Sequence, residues 1–240
     1  MACARIAAVL PSDTLRLLDN PVWSCLTTRH AHLALGGVLA RRYPADISPI
    51  AGVPSVGEAT IAALEELVDV GDDVGIPGPF VPELTSNWET LLDSAVTQMV
   101  LRSRTALPEA DVGATPLGAA DVEEMLALVA LAQPGPFRTR TIELGRFVGI
   151  REGGRLVAMA GERMWIDGFR EVSAICTHPD VRGRGHARAL SARVVNRILA
   201  AGETPFLHVL SANEGAIALY RALGFAVRAE FRLLHAKRVA

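Results

Sequence analysis

The residues of this chain best suited to chemistry form a short segment rich in glycine and arginine, Arg182-Gly183-Arg184-Gly185. An apolar run ends shortly before it, at Cys176, and an amphipathic segment begins shortly after it. This order predicts a strand, a loop and a helix. Backbone N–H groups at the start of a helix bind anions, and glycine lets the main chain approach a ligand closely. The segment therefore predicts a binding site for a phosphate or pyrophosphate.

The segment after the loop has the spacing of an amphipathic helix. Its apolar residues recur every three or four positions and would form one stripe. They are Ala187, Leu190, Val194 and Ile198. Gly202 follows the last turn, where glycine commonly ends a helix. A helix placed here would direct the positive end of its dipole at the phosphate.

Two better-known phosphate-binding motifs do not match. The dinucleotide fingerprint G-x-G-x-x-G has Arg188 where its third glycine should stand, and the chain has no P-loop string G-x-x-x-x-G-K-[ST]. Binding of a nucleoside triphosphate through a P-loop is thereby excluded. The pattern that remains is R-x-x-G-x-A, with Arg182, Gly185 and Ala187 at its fixed positions.

That pattern resembles the acyl-CoA pyrophosphate loop of the GNAT superfamily of N-acyltransferases. A later segment is similar to the family's N-x-x-A-x-x-x-Y-x-x-x-G-F element, and its matching residues are Asn213, Ala216, Tyr220, Gly224 and Phe225. The resemblance implies an α+β fold with a mixed, mainly antiparallel sheet flanked by helices. Residues 175–187 look most like the branch with glycine N-acyltransferase-like C-terminal domains, which does not identify the acceptor.

The predicted strands and helices outside these motifs divide the chain into two parts. Residues 96–240 are the predicted GNAT acetyltransferase domain, with strands predicted at 95–102, 146–151, 155–165, 169–176 and 205–210, a closing strand from 225, and a helix at 121–131. Residues 1–95 are a predicted N-terminal accessory region. It is either a degenerate copy of the same fold or a helical cap over the substrate site. It lacks the R-x-x-G-x-[GA] loop, so we expect it to bind no coenzyme of its own.

Composition and charge exclude other classes of protein. Half of the 240 residues are hydrophobic, 21% are charged and the net charge is −2, so no general attraction to nucleic acid or to an anionic membrane exists. Three cysteines provide no disulfide framework, and Cys25, His30 and His32 lack a second ligand pair with zinc spacing. The apolar stretch Met1–Leu10 is interrupted by Arg5 and too short for a signal peptide. We expect a cytoplasmic protein without a metal or membrane span, and leave a homodimer open.

The resemblance implies acetyl-CoA as the cosubstrate and an amine as the acceptor. The residues predicted to bind the coenzyme are Ile175, Cys176, Thr177, Arg182, Gly183, Arg184, Gly185, His186, Ala187, Asn213, Ala216 and Tyr220. The family usually polarises the thioester carbonyl with backbone N–H groups near the end of the strand before the loop, the place that residues 175–177 occupy. Preorganised donors there would meet the developing oxyanion. Arg182 or Arg184 would add charge-assisted hydrogen bonds to phosphate.

Glu171 and Tyr220 are the predicted catalytic residues. Glu171 lies eleven residues before Arg182, where several family members place the glutamate that takes the proton of the amine. A carboxylate needs a raised pKa to work well as a base near neutral pH. Glu162 is the rival base. Tyr220 holds its phenolic proton at pH 7, so it is the predicted general acid toward the coenzyme sulfur.

Cys176 and two histidines have competing interpretations. Cys176, with His178 two residues on, has the elements of a nucleophile and base, but a cysteine in an apolar strand is usually a buried small hydrophobe. His178, next to Pro179, is expected to shape the turn. His208 in the following strand faces either the acceptor amine or the core.

The predicted function is transfer of an acetyl group from acetyl-CoA to a primary amine of an unidentified small molecule or peptide. The amine would attack directly in a ternary complex, where proximity supplies much of the rate. The alternative is a catalytically inactive module that binds acyl-CoA and regulates a partner. Glu171 and Tyr220 favour the enzyme, since a sensor would need neither.

Overall fold

The computed structural model describes residues 12–240, so the prediction made for Met1–Leu10 lies outside the described residues. The N-terminal part contains helices α1 (Ser12–Leu15), α2 (Pro21–Thr27) and α3 (Glu58–Leu67), and the two-residue strands β1 (Leu35–Gly36), β2 (Arg41–Arg42) and β3 (Ala51–Gly52). Strands β1 to β3 form a small antiparallel sheet of their own.

The rest of the described chain builds one large sheet and three further α-helices. Its strands are β4 (Asp73–Gly78), β5 (Trp88–Leu101), β6 (Thr115–Leu117), β7 (Phe147–Glu152), β8 (Arg155–Ile166), β9 (Phe169–Thr177), β10 (Thr204–Leu210) and β11 (Phe225–Arg238). The helices are α4 (Val122–Ala132), α5 (His186–Ala200) and α6 (Glu214–Ala222). Short 3₁₀ turns lie at Arg16–Leu18, Ala31–Leu33, Ala119–Asp121, Thr141–Leu144 and Pro179–Val181.

The large sheet has eight strands in the order β4-β11-β5-β10-β9-β8-β7-β6 within residues 12–240. The pair β9 and β10 is parallel, and each of the other neighbouring pairs is antiparallel. The predicted fold class, a mixed and mainly antiparallel sheet flanked by helices, is confirmed. A parallel pair needs a crossover, which α5 supplies on one face of the sheet.

Strands β9 and β10 stay together for only a short distance. Their pairing covers Phe169 to Glu171 on β9 and Thr204 to Phe206 on β10. Beyond that point β9 continues to Thr177 beside β8, while β10 continues to Leu210 beside β5. The two strands therefore separate, and the gap between them is the feature on which the candidate site is built.

Helices cover both faces of the large sheet. On one face, α5 and α6 pack on the apolar side chains that alternate along the strands, such as Leu207 and Val209 of β10. On the opposite face, α2 packs against Phe206, the intervening residue. Helix α4 covers the same opposite face farther along, through Met125. Inward-facing residues of both sides are close to fully buried.

The boundary predicted at residue 95 falls inside β5, which begins at Trp88. The first half of β5 was missed because residues 89–93 are exposed and show no alternation of apolar and polar residues. Strand β4 also precedes the boundary, yet it pairs with β11 at six positions of the large sheet. Strand β4 and the first part of β5 are therefore built into the same sheet as the predicted acetyltransferase domain, whereas β1 to β3 form the small sheet.

A chain that begins at residue 96 is expected not to fold stably. It would lack β4 and half of β5, and so would leave β11 unpaired over much of its length, with the apolar residues beneath β4 exposed. Circular dichroism and thermal unfolding, with the full-length chain as the control, measure this. A cooperative transition in the shorter chain at the temperature of the full-length protein would contradict it.

Candidate active site

A cleft of about 1370 Å³ lies where β9 and β10 separate. One end is the loop and helix start at 181–188, and the middle is the β9 edge at 172–177 together with Tyr220. The other end of this edge holds Arg163 and His208, and a further polar group, Asp73, Arg138 and His235, also lines the cleft. A long cleft with an apolar wall and a few polar groups has the general properties of a ligand site.

The loop at the first end requires its glycines. Gly183 and Gly185 have φ angles of +81° and +84°, in the left-handed region that a side chain disfavours. Gly185 is the N-cap of α5, and its carbonyl accepts the first helical bond, from Ala189 N at 3.0 Å. The N–H groups of His186 and the two residues after it therefore have no acceptor within the helix. They point toward the cleft end, where an anion would meet them.

The arginines around this loop divide into two groups. Arg184 is directed away from the cleft, because it pairs with Glu152 at 3.0 Å. Arg182 and Arg188 line the cleft, and among residues 12–240 no carboxylate pairs with either. The predicted phosphate contact from Arg184 is therefore not supported by its position. Arg182 remains a candidate phosphate ligand, and Arg188 is a second candidate.

The edge of β9 presents backbone donors to the middle of the cleft. Its residues Ile175, Cys176 and Thr177 line the cleft, and β10 has already left this edge. The N–H groups on that side have no partner strand in the described chain, as at the edge of any sheet. Ala174 has a φ of +52°, at a register shift between β8 and β9. This bulge redirects the residues that follow it.

Helix α6 brings Tyr220 to the cleft. Asn213 caps the helix, as its side-chain oxygen accepts from Ala216 N at 3.1 Å. The Tyr220 ring packs edge-on against Phe225 with 6.2 Å between centroids. Burial raises the pKa of Tyr220 to about 12, so its hydroxyl is protonated at neutral pH. Asn213, Ala216 and Tyr220 all line the cleft that the loop opens into.

Glu171 is fully buried and tightly held. Arg163 donates to both of its carboxylate oxygens, at 2.7 and 2.8 Å, and His208 Nδ1 lies 2.8 Å from Oε1. Burial alone would raise the pKa of Glu171, but the charge and hydrogen bonds of Arg163, with the bond to His208, lower it to about 2. Glu171 therefore does not have the raised pKa that a direct base needs near neutral pH, and that expectation is wrong. The carboxylate is also set back from the cleft wall.

Glu162 belongs to a separate cluster of ion pairs, away from the cleft. It is buried, and it pairs with Arg170 at 3.1 Å and with Arg197 of α5 at 2.7 Å. These two ion pairs connect α5 to strands β8 and β9. Glu162 does not line the cleft that the other predicted residues share within residues 12–240, so it is a structural carboxylate.

The cysteines and neighbouring histidines have structural roles. Burial raises the pKa of Cys176 to about 12, which leaves a thiol rather than a nucleophilic thiolate at neutral pH. His178 Nδ1 accepts from Asp180 N at 3.2 Å and so shapes the turn before the loop, as predicted. Cys25 Sγ and His30 Nδ1 both contact the Tyr43 hydroxyl, at 3.3 and 2.8 Å.

Comparison with known proteins decides the family. A solved structure from Novosphingobium aromaticivorans, assigned to acetyltransferases of the GNAT family, has a TM-score of 0.85 and 33% sequence identity. The match covers 93% of this chain and 99% of that chain. The chain belongs to the GNAT family. The FR47-like protein family model also matches, over residues 147–233, which contain the cleft strands β9 and β10. The GNAT fold supports acyl transfer in general.

Two more distant GNAT structures share the fold. A GCN5-related N-acetyltransferase from Kribbella flavida has a TM-score of 0.60 at 17% identity, covering 96% of this chain and 97% of that chain. A GCN5-related N-acetyltransferase-like protein from Streptococcus suis has a TM-score of 0.55 at 14% identity, covering 98% and 96%. No curated protein sequence matches the chain. Of the helices within residues 12–240, none is long and apolar enough to cross a membrane.

Three other polar residues that line the cleft, Asp73, Arg138 and His235, were missed from the sequence. Asp73 on β4 accepts from Arg138 Nη2 at 2.9 Å and lies 2.8 Å from His235 Nε2 on β11. Burial would raise the pKa of Asp73, but the bonds to His235 and Arg138 lower it. These partners are 65 and 162 positions apart along the chain, so no local pattern joins them. Arg163, the partner of Glu171, was missed as well.

Replacement of Glu171 by Gln should destabilise the protein by about 3–5 kcal/mol, because it leaves Arg163 buried without its counter-charge. The folded-state pKa of Glu171 lies below the ordinary glutamate value of 4.5, so the stabilisation is present above about pH 4.5 and is lost as the pH falls toward about 2. Urea unfolding of wild type and Glu171→Gln at pH 7 and at pH 3 measures both effects.

The difference in unfolding free energy between the two proteins should shrink at the lower pH. A Glu171→Gln protein as stable as wild type at pH 7 would contradict the account of this ion pair. Glu230→Gln, on an exposed position of β11, serves as the matched control.

Proposed function

We propose that the protein transfers an acetyl group from acetyl-CoA to a primary amine of a small molecule or peptide. One observation carries the proposal. A single cleft joins an anion-binding helix start, a free strand edge with backbone donors, and the polar side chains of Arg163 and His208 beside Glu171, in that order along β9. This is the order in which the diphosphate, the thioester and the acceptor of an acyl transfer would lie.

The diphosphate of the coenzyme would occupy the helix start at Gly185. The N–H groups of residues 186–188 and the guanidinium groups of Arg182 and Arg188 would bind it. The pantetheine arm would then run along the edge of β9, in the place where a β10 strand would otherwise pair.

The thioester carbonyl would lie beside Ile175, Cys176 and Thr177. Backbone donors fixed by the fold stabilise the oxyanion without any reorganisation during the reaction. The amine would attack the carbonyl carbon directly, and Tyr220 would give its proton to the departing sulfur. Its high pKa keeps that proton available at neutral pH.

Glu171 would act as a positioning residue rather than as the proton acceptor. Its carboxylate is saturated by Arg163 and His208, and its lowered pKa makes it a weak base.

The direct test is the release of free CoA from acetyl-CoA across a panel of alkylamines, amino acids and short peptides. Amine-dependent release supports the proposal. Tight binding of acetyl-CoA without release on any amine would overturn it in favour of the inactive acyl-CoA-binding module.

Arg182→Gln and Arg188→Gln should each weaken the binding of CoA about tenfold, the size expected for loss of a hydrogen bond to a charged group. Isothermal titration calorimetry with CoA measures this. Arg193→Gln is the matched control, since Arg193 is exposed on the same helix α5 and faces a different groove. Equal affinities for all four proteins would contradict the placement of the diphosphate.

Tyr220→Phe should lower turnover about 100-fold or more while leaving CoA affinity within a factor of about two, because it removes the proton and not the ring. Steady-state rates and calorimetry on the same preparation separate the two quantities. Unchanged turnover would remove Tyr220 from the chemistry.

A further inference from the structure

His208 lies where β10 has just separated from β9. It follows Phe206, the last β10 residue paired with β9, by two positions, so both side chains point to the face opposite α5. Its ring lines the cleft, with 9% of the side chain exposed. The Phe206 ring meets it edge-on at 5.7 Å between centroids.

His208 is the centre of a polar row that crosses five neighbouring strands. In spatial order the row is Arg228 on β11, Gln98 on β5, His208 on β10, Glu171 on β9 and Arg163 on β8. Both arginines lie at register shifts of their strands, and such bulges re-aim side chains. The row is thus built into the sheet at right angles to its strands.

The hydrogen bonds of this row determine which ring nitrogen of His208 carries the proton. Arg228 Nη1 donates to Gln98 Oε1 at 2.9 Å, and an arginine can only donate. The amide nitrogen of Gln98 is therefore the end that lies 3.1 Å from His208 Nε2. It also donates to Leu18 O at 3.1 Å. Since an amide nitrogen donates, Nε2 is an acceptor and the ring proton is on Nδ1.

The other side of the ring agrees with this assignment. Nδ1–H donates to Glu171 Oε1 at 2.8 Å, and Arg163 holds that carboxylate in its charged form. The result is a neutral imidazole oriented by a carboxylate, with the lone pair of Nε2 engaged only by a neutral amide. A histidine held in this way is suited to accept a proton.

We propose that His208 Nε2, rather than the Glu171 carboxylate, takes the proton from the ammonium of the acceptor. The inference rests on the proposed function. It makes His208 a catalytic residue and Glu171 its positioning residue. The acceptor amine would accordingly enter from the chamber lined by Arg163 and His208.

The proton balance of the step is complete. One N–H bond of the ammonium breaks and an Nε2–H bond forms, while the N–H of Gln98 gives up its bond to Nε2. The freed amine forms the C–N bond, the C–S bond breaks, and Tyr220 protonates the sulfur. The second proton lost by the nitrogen restores Tyr220 through solvent. His208 then releases its proton to solvent, so each turnover releases one proton.

The charged groups nearest to the His208 ring can be ranked by their position. The Glu171 carboxylate contacts Nδ1 directly, whereas Arg163 lies on the far side of that carboxylate. Arg228, beyond Gln98, is offset by its own partner Asp19. The nearest charge to the ring is therefore negative, so a proton accepted at Nε2 places positive charge beside a carboxylate rather than beside an arginine.

The test compares two acceptors of the same shape that differ in whether they need a base. Ethylamine is protonated at neutral pH, whereas 2,2,2-trifluoroethylamine is largely unprotonated. In His208→Asn the amide can replace Nδ1–H as the donor to Glu171, but no basic Nε2 remains. CoA release with ethylamine should fall about 100-fold or more, and with trifluoroethylamine less than about tenfold.

Equal losses with both amines, or no loss with either, would overturn the assignment of His208. His32→Asn is the matched control, since His32 is exposed and outside the cleft. Nitrogen-15 NMR of the histidine rings provides a readout that needs no acceptor. The wild-type protein should show a neutral His208 ring with its proton on Nδ1 and none on Nε2, which accepts from Gln98. A proton on Nε2 of the neutral ring would also overturn the inference.

These outcomes separate the inference from the proposed function. If wild type releases no CoA on any amine although its His208 shows the expected tautomer, the proposed function fails and the proton acceptor role goes with it. If wild type is active and His208→Asn loses equal activity with both amines, the inference alone fails.

Discussion

The structure depends on a parallel strand pair that is kept short. Three residues of β9 pair with three of β10, and then the strands part. Unpaired backbone groups inside a protein are costly, so such a gap persists only if water or a ligand can satisfy them. Helices α5 and α6 hold the parted strands from one face, and the N-terminal helices hold them from the other. An extended acyl-donor molecule lying between β9 and β10 would form the hydrogen bonds that the separated strands do not make with each other.

The second constraint is the buried ion pair between Arg163 and Glu171. It lies at the end of the paired region, where Glu171 still faces Phe206. Removing two charges from water costs free energy, so a buried ion pair of this kind adds little net stability. Its main effect is to fix geometry. Here it fixes the carboxylate that orients His208, while Gln98 and Arg228 set the opposite side of the ring. Fold and proposed chemistry thus share one row of side chains.

Much of the fold and of the loop at residues 182–187 could be predicted from the sequence, because both depend on local patterns. The glycines at 183 and 185 and the Asn213 cap belong to turns and helix ends whose rules act over a few residues. The polar part of the cleft around His208 could not be predicted in this way. The partners His208 and Gln98 are 110 positions apart, and the bulge at Ala174 depends on how β8 meets β9. The direction of the pKa shift of Glu171 likewise depended on Arg163, which only the folded sheet brings to it.

The most direct test of the central claim is a crystal structure of the protein with CoA bound. The account predicts the diphosphate on the N–H groups of residues 186–188, the pantetheine arm along the free edge of β9, and the sulfur beside the Tyr220 hydroxyl. A coenzyme bound elsewhere on the surface, with β9 and β10 closed upon each other, would contradict it.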